Sequence, residues 1–142
     1  MKNLIFVTLL CVASIACDTK NEEVPDIPEQ NVSASYRTSI SVSVTGQPLL
    51  VTVLEINESR CPINADCIQA GSVDLGLSIS DGTTKIQVPV SFRSDSKASG
   101  HQVFELGGQL YSLVVHEVLP YPTSLEPPIL EAYKINLSIE KI

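Results

Sequence analysis

Val73-Asp74-Leu75-Gly76-Leu77-Ser78-Ile79-Ser80 alternates apolar residues with polar or small ones along its whole length. Strand side chains point to opposite faces in turn, so the pattern predicts a half-buried strand with Val73, Leu75, Leu77 and Ile79 inward. Asp81-Gly82 follows as a predicted two-residue hairpin turn, because glycine supplies the positive φ such turns need. Ile86, Val88 and Val90 form the returning strand. Pro89 lacks an N–H to give to a neighbour, which predicts an edge position for it.

The same period runs outward in both directions. Upstream, Ile40, Val42 and Val44 alternate with Ser39, Ser41 and Ser43. Gly46-Gln47-Pro48 reads as a turn, and Leu49, Val51 and Val53 share one face of the next strand. Downstream, Arg93 to Gln102 reads as a polar loop, Val103 to Leu106 as a short strand, Gly107-Gly108 as a turn and Leu110 to Leu119 as a long strand. Prolines 120, 122, 127 and 128 enclose an extended connector, and Tyr133, Ile135, Leu137 and Ile139 mark the last strand. About seven short strands with one apolar face each predict an antiparallel β-sandwich over residues 32–142. It is immunoglobulin-like in the broad sense only, since no cysteine-tryptophan-cysteine arrangement is present. About 110 residues suffice to bury a core without a metal.

The chain has 142 residues, which fits one domain of ordinary size. Its 9 Lys and Arg against 16 Asp and Glu give a net charge of -7. Such a surface repels nucleic-acid backbones, and no cluster of basic residues offsets it. The N-terminus carries an address. Met1-Lys2-Asn3 is a short basic start, and Leu4 to Ala16 is uncharged and mostly apolar. Thirteen helical residues rise about 20 Å, short of a bilayer span, so residues 1–16 read as a signal peptide.

Ser14-Ile15-Ala16-Cys17 resembles the lipobox of bacterial lipoproteins, with Ser14 where that family usually carries Leu. The resemblance implies acylation of Cys17. Ordinary signal-peptidase cleavage is the rival, since Ser14 and Ala16 also fit a small-x-small rule. Cysteine arithmetic favours the lipid. With Cys11 removed, Cys17, Cys61 and Cys67 remain, and acylating Cys17 leaves one even pair. Residues 17–31, polar and acidic with Pro25 and Pro28, then form a flexible tether. The expected home is the bacterial envelope, most simply the outer membrane. Its face stays open, because acidic residues after the cysteine resemble a surface-export signal while Asp18 resembles an inner-membrane retention signal.

Glu58-Ser59-Arg60-Cys61-Pro62 leads through Asp66-Cys67 to Ala70-Gly71. Two cysteines with five residues between them, in an exported chain, read as a local disulfide, worth about 2 kcal/mol on the chain-entropy argument. The segment from Glu58 to Gly71 resembles a motif of small, uncharacterised bacterial envelope lipoproteins: Arg-Cys-Pro, a second Cys, then Ala-Gly. Gln69 stands where those proteins often have Trp. Pro120-Tyr121-Pro122 and the Tyr133 strand are similar to their later pattern. The resemblance implies an envelope lipoprotein and brings no activity with it.

Chemistry is hard to find. Redox work needs an accessible low-pKa thiolate, usually from closer spacing at a helix start. Zinc needs three or four ligands, and His101 and His116 show no ligand spacing to the cysteines. His116 is expected to share a face with Val114 and Val118, and Glu117 to point the other way, so the two form no dyad. No nucleophile elbow, zincin helix or phosphate loop occurs. The expectation is a non-catalytic module with no cofactor and no metal. Its partners are the membrane, through Cys17, and an envelope protein or a glycan. Two residues stand as candidate binding groups. Arg60, on a disulfide-braced loop, could enter a trypsin-like protease pocket as an inhibitor does, although pairing with Glu58 or Asp66 is the plainer role. Tyr121, between prolines, could stack on a sugar or dock a protein.

Overall fold

A computed structural model describes residues 30–96, 100–124 and 126–142. The signal peptide, Cys17 and most of the tether lie outside them. The described residues form eight strands: β1 Val32–Ser35, β2 Ser39–Val44, β3 Gln47–Glu58, β4 Val73–Ser80, β5 Lys85–Phe92, β6 His101–Leu106, β7 Gln109–Leu119 and β8 Lys134–Lys141. They make two four-stranded sheets, ordered β1-β8-β7-β6 and β2-β3-β4-β5, with antiparallel neighbours throughout. The all-β sandwich is thus observed, with β1 as one strand beyond the seven expected. Each sheet is a meander of consecutive strands, and β1 adds the fourth strand of the first. The immunoglobulin comparison therefore extends to two packed sheets and not to its strand order.

The inward stripes are those the alternation marks. Leu49, Val51, Val53, Val73, Leu77 and Ile79 from one sheet face Leu113, Val118, Ile135 and Leu137 from the other, all fully buried. Pro89 does lie on an edge strand, β5. Two turns differ in detail. The β2–β3 turn is Thr45-Gly46, with φ of +47° and +82°, while Gln47 and Pro48 already belong to β3. The β4–β5 loop takes four residues, because the Asp81 carboxylate accepts the N–H groups of Thr83 (2.8 Å) and Thr84 (2.6 Å). That local bonding makes an Asx-type turn and moves the first cross-strand pair out to Ser80 and Lys85.

Two β-bulges decide what the alternation cannot. In β3 the register shifts between Val53 and Glu55; in β7 it shifts between Val115 and Glu117. A bulge inserts one unpaired residue and so exchanges the faces of everything beyond it. Before the first bulge odd-numbered residues of β3 point inward; after it Ile56 and Glu58 do. Gly76, opposite Glu55, makes room, since a Cβ there would sit 3.1 Å from that of Glu55. In β7 the buried stripe passes from Val115 to Val118. This corrects the expected placing of His116 and Glu117: both lie exposed on the outer face. There His116 Nε2 pairs with Ser138 Oγ at 2.8 Å, and Glu117 accepts from Asn136 at 2.9 Å.

The sandwich has two unlike ends. At one, the tight turns Thr45-Gly46, Asp81–Thr84 and Gly107-Gly108 reverse the chain. At the other lie the long connection 59–72, residues 93–96 after β5, and residues 120–124 and 126–133 before β8, the last with a 3-10 turn at Leu130–Ala132.

Candidate functional site: the braced loop end

Past the end of the β3–β4 pair the two chain segments stay bonded. Ser59 N–H donates to the Ser72 carbonyl and Cys61 N–H to that of Ala70, each at 2.8 Å. Gly71 makes this possible. Its φ is +69°, and a Cβ there would collide with the Ser59 carbonyl. Beyond this short ladder the expected disulfide, Cys61–Cys67, closes the ring with the Cα atoms 5.9 Å apart.

Arg60 does not point out of this loop. It is 4% exposed and runs into the sandwich end, where it meets three structures at once. Its Nε donates to both oxygens of Glu58, at 2.8 and 3.1 Å, and Nη2 bonds Glu58 as well. Nη1 donates to the Val118 carbonyl at 2.7 Å, and Nη2 to that of Pro120 at 3.1 Å. The guanidinium lies over the Tyr121 ring, 4.3 Å from its centroid. The planar fork of arginine suits this use, because one side chain reaches a carboxylate, two carbonyls and an aromatic face together. Glu58 also accepts the Arg60 N–H (2.9 Å) and the Tyr133 hydroxyl (3.0 Å). Tyr133, 1% exposed, keeps its OH satisfied that way.

Charge follows geometry. Burial alone would raise the Glu58 carboxyl, but the hydrogen bonds and charge of Arg60 outweigh it and hold the group below its ordinary value. Burial likewise opposes the Arg60 cation, and Glu58 more than restores it. The Tyr133 phenol is pushed up to about 12, first by burial and then by its bond to the Glu58 carboxylate.

The ring and the proline connector are joined outside this knot as well. Ile63 N–H donates to the Pro122 carbonyl (3.1 Å), and Asn64 Oδ1 accepts the Ser124 N–H (2.8 Å). Two aliphatic side chains of the braced segment stay turned to solvent: Ile63 is 68% exposed and Ile68 entirely so. An open groove of about 640 Å³ runs beside Ser59, Ile68, Gln69, Ala70, Arg93 and Asp95. It is shallow and mostly polar, unlike the enclosed apolar cavities that hold small molecules.

Residue type and spacing locate the right residues here, and of the two roles expected for Arg60 the plainer one, pairing with Glu58, is the one observed. Arg60 and Tyr121 are brought together, against each other rather than against a ligand. A buried arginine with its donors committed inward cannot enter a protease pocket, so the inhibitor geometry is not present. Tyr121 is half-buried with one ring face occupied by Arg60, which removes that face as a sugar platform. Of the two carboxylates weighed as partners for Arg60, Glu58 takes the role and Asp66 is exposed. Tyr133, expected in the last strand, sits one residue before β8 at the end of the 3-10 turn; it is buried as alternation expects, and its bond to Glu58 is an addition the pattern does not reveal. His101 pairs with Ser112 at 2.9 Å on the outer sheet face. Among the described residues no three His, Cys, Asp or Glu converge as a metal ion would require. No helix among them is long and apolar enough to cross a membrane. Compared with known proteins, the chain matches no family model, no curated protein and no solved structure.

Proposed function

We propose that this chain is a lipid-anchored protein of the bacterial envelope whose sandwich presents the disulfide ring to a protein partner, without catalysis. One observation carries the reading. Polar bonds fasten the ring and the connector to each other, while Ile63 and Ile68 are left outside on a loop that is already braced. A preordered loop loses little entropy on docking, and exposed aliphatic side chains gain by leaving water. A protein suits this surface better than a glycan, because Tyr121 has one face occupied.

The test is site-specific photo-crosslinking in intact cells, with the reactive side chain at position 68 or, for comparison, at position 83 on the tight-turn end. A discrete adduct from position 68 alone supports the reading. Equal labelling from both positions, or none, contradicts it. Mass spectrometry of the N-terminal peptide tests the anchor separately: an acylated Cys17 is expected, and a free thiol there removes the lipid from the proposal.

A further inference from the structure

Each sheet of a sandwich has two edges, and an open edge is a template for another strand. Three of the four edges here carry a recognised block. β1 has only four residues, β5 contains Pro89 and Lys85, and β6 carries His101 and Glu105. The fourth edge is β2, Ser39-Ile40-Ser41-Val42-Ser43-Val44. It has six residues, no charge, no proline and no bulge.

The register says which backbone groups face outward. Thr45-Gly46 is a two-residue turn with both φ positive, so the flanking pair Val44 and Gln47 exchanges both hydrogen bonds. Val42 and Ile40 then bond to β3 as well, opposite Leu49 and Val51. Val53, next in that series on β3, turns its carbonyl to the same side, where Arg37 N–H donates to it at 2.8 Å. Ser39, Ser41 and Ser43 therefore aim their N–H and C=O groups off the edge. Among the described residues no backbone partner meets them.

We infer that this edge pairs with β2 of a second copy of the same chain, antiparallel about a two-fold axis through Ser41. In that register Ser41 faces Ser41 of the second copy, and Ser39 faces Ser43. All the outward groups of one edge then meet their counterparts on the other. Ile40, half-buried in the single chain, comes opposite Val42 of the second copy, so the apolar faces join as well. Charge favours a like partner at this edge. The chain carries a net -7, yet no Asp or Glu occurs between Gln30 and Leu54, and Arg37 is the only charge in that stretch. Two acidic copies that repel on average can thus meet at β2 without bringing carboxylates together. The result is one eight-stranded sheet with a closed, isologous contact.

The experiment uses the chain from residue 17 onward with Cys17→Ser, so that an acyl group cannot itself bring two molecules together. Sedimentation over a range of concentrations is expected to give the mass of two chains at the high end. Ser41→Lys sets two cations against each other on the axis. Ser41→Pro removes an N–H that the single chain does not use. Both are expected to sediment as one chain with an unchanged far-ultraviolet circular dichroism spectrum. Ser41→Cys brings its own equivalent to a Cα separation of about 5.5 Å, within disulfide range, and is expected to cross-link on mild oxidation. Ser91→Cys on β5 is expected to stay single. A wild-type chain with the mass of one copy at every concentration overturns the inference. So does a dimer that survives Ser41→Lys and leaves Ser41→Cys unlinked.

Discussion

The two ends of this sandwich are built on different physics. At the tight-turn end each reversal is settled within four residues: two positive φ values at Thr45-Gly46, two at Gly107-Gly108, and an aspartate that bonds its own neighbours at Asp81. At the ring end the connection from Ser59 to Ser72 leans on partners far along the sequence. Val118, Pro120, Tyr121 and Tyr133 are gathered there by Arg60 and Glu58. A short-range end tolerates change piecemeal, whereas a long-range end stands or falls as a unit.

The contrast is sharpest at glycine. Gly71→Ala puts a Cβ into the Ser59 carbonyl at a positive φ, while Gly46→Ala meets open space at a similar φ. Gly46→Ala is expected to cost about 1 kcal/mol, the strain of that conformation alone. Gly71→Ala is expected to cost several times as much, as read by chemical denaturation of both variants. Equal costs would mean that the Ser59–Ser72 ladder contributes nothing.

Arg60→Ala comes next. It strands the Glu58 carboxylate and two carbonyls, and about 3 kcal/mol of stability is expected to go with them. Asp81→Ala at the other end loses only exposed bonds and is expected to lower the melting temperature far less. The disulfide ranks below Arg60. Replacing Cys61 and Cys67 together by serine frees a short ring and is expected to cost about 2 kcal/mol in the same denaturation measurement, because Arg60 still fastens its root.

Tyr133→Phe is the smallest change, about 1 kcal/mol for one hydrogen bond, but it has a signature in pH. A phenol raised from 10.0 to about 12 stabilises the fold fully below pH 10 and loses that share as pH climbs toward 12. Wild-type stability is therefore expected to fall across that window more steeply than that of Tyr133→Phe. At the acid side Glu58, lowered from 4.5, contributes above that pH, and its share is lost as pH drops through the lowered value. Arg60→Ala is expected to flatten the acid limb. Parallel pH curves for all three proteins would separate the knot from stability.

Much of the fold is legible in the residues because alternation is a strong signal where one face is buried. The β4 stripe, the edge position of β5 and the disulfide all follow from residue type and spacing. The site is less legible because it depends on two phase slips. Val53-Leu54 sets two apolar residues side by side before Glu55 and Ile56, and Val115 is followed by two polar residues before Val118. Each slip marks a bulge, and without the first Glu58 would face solvent rather than Arg60. That much can be read from residue order. The partners of Arg60 cannot, since carbonyls at Val118 and Pro120 have no side-chain signature.

The central claim is that ring and connector form one unit fastened from inside by Arg60. Amide hydrogen exchange in Arg60→Ala tests it most directly. The Ile63 and Ser124 amides, which bridge the ring and the connector, are expected to lose protection together, while Val44 and Gln47 at the tight-turn end keep theirs. Protection at Ile63 and Ser124 that survives the substitution, or that falls no further than at Val44 and Gln47, would contradict the account.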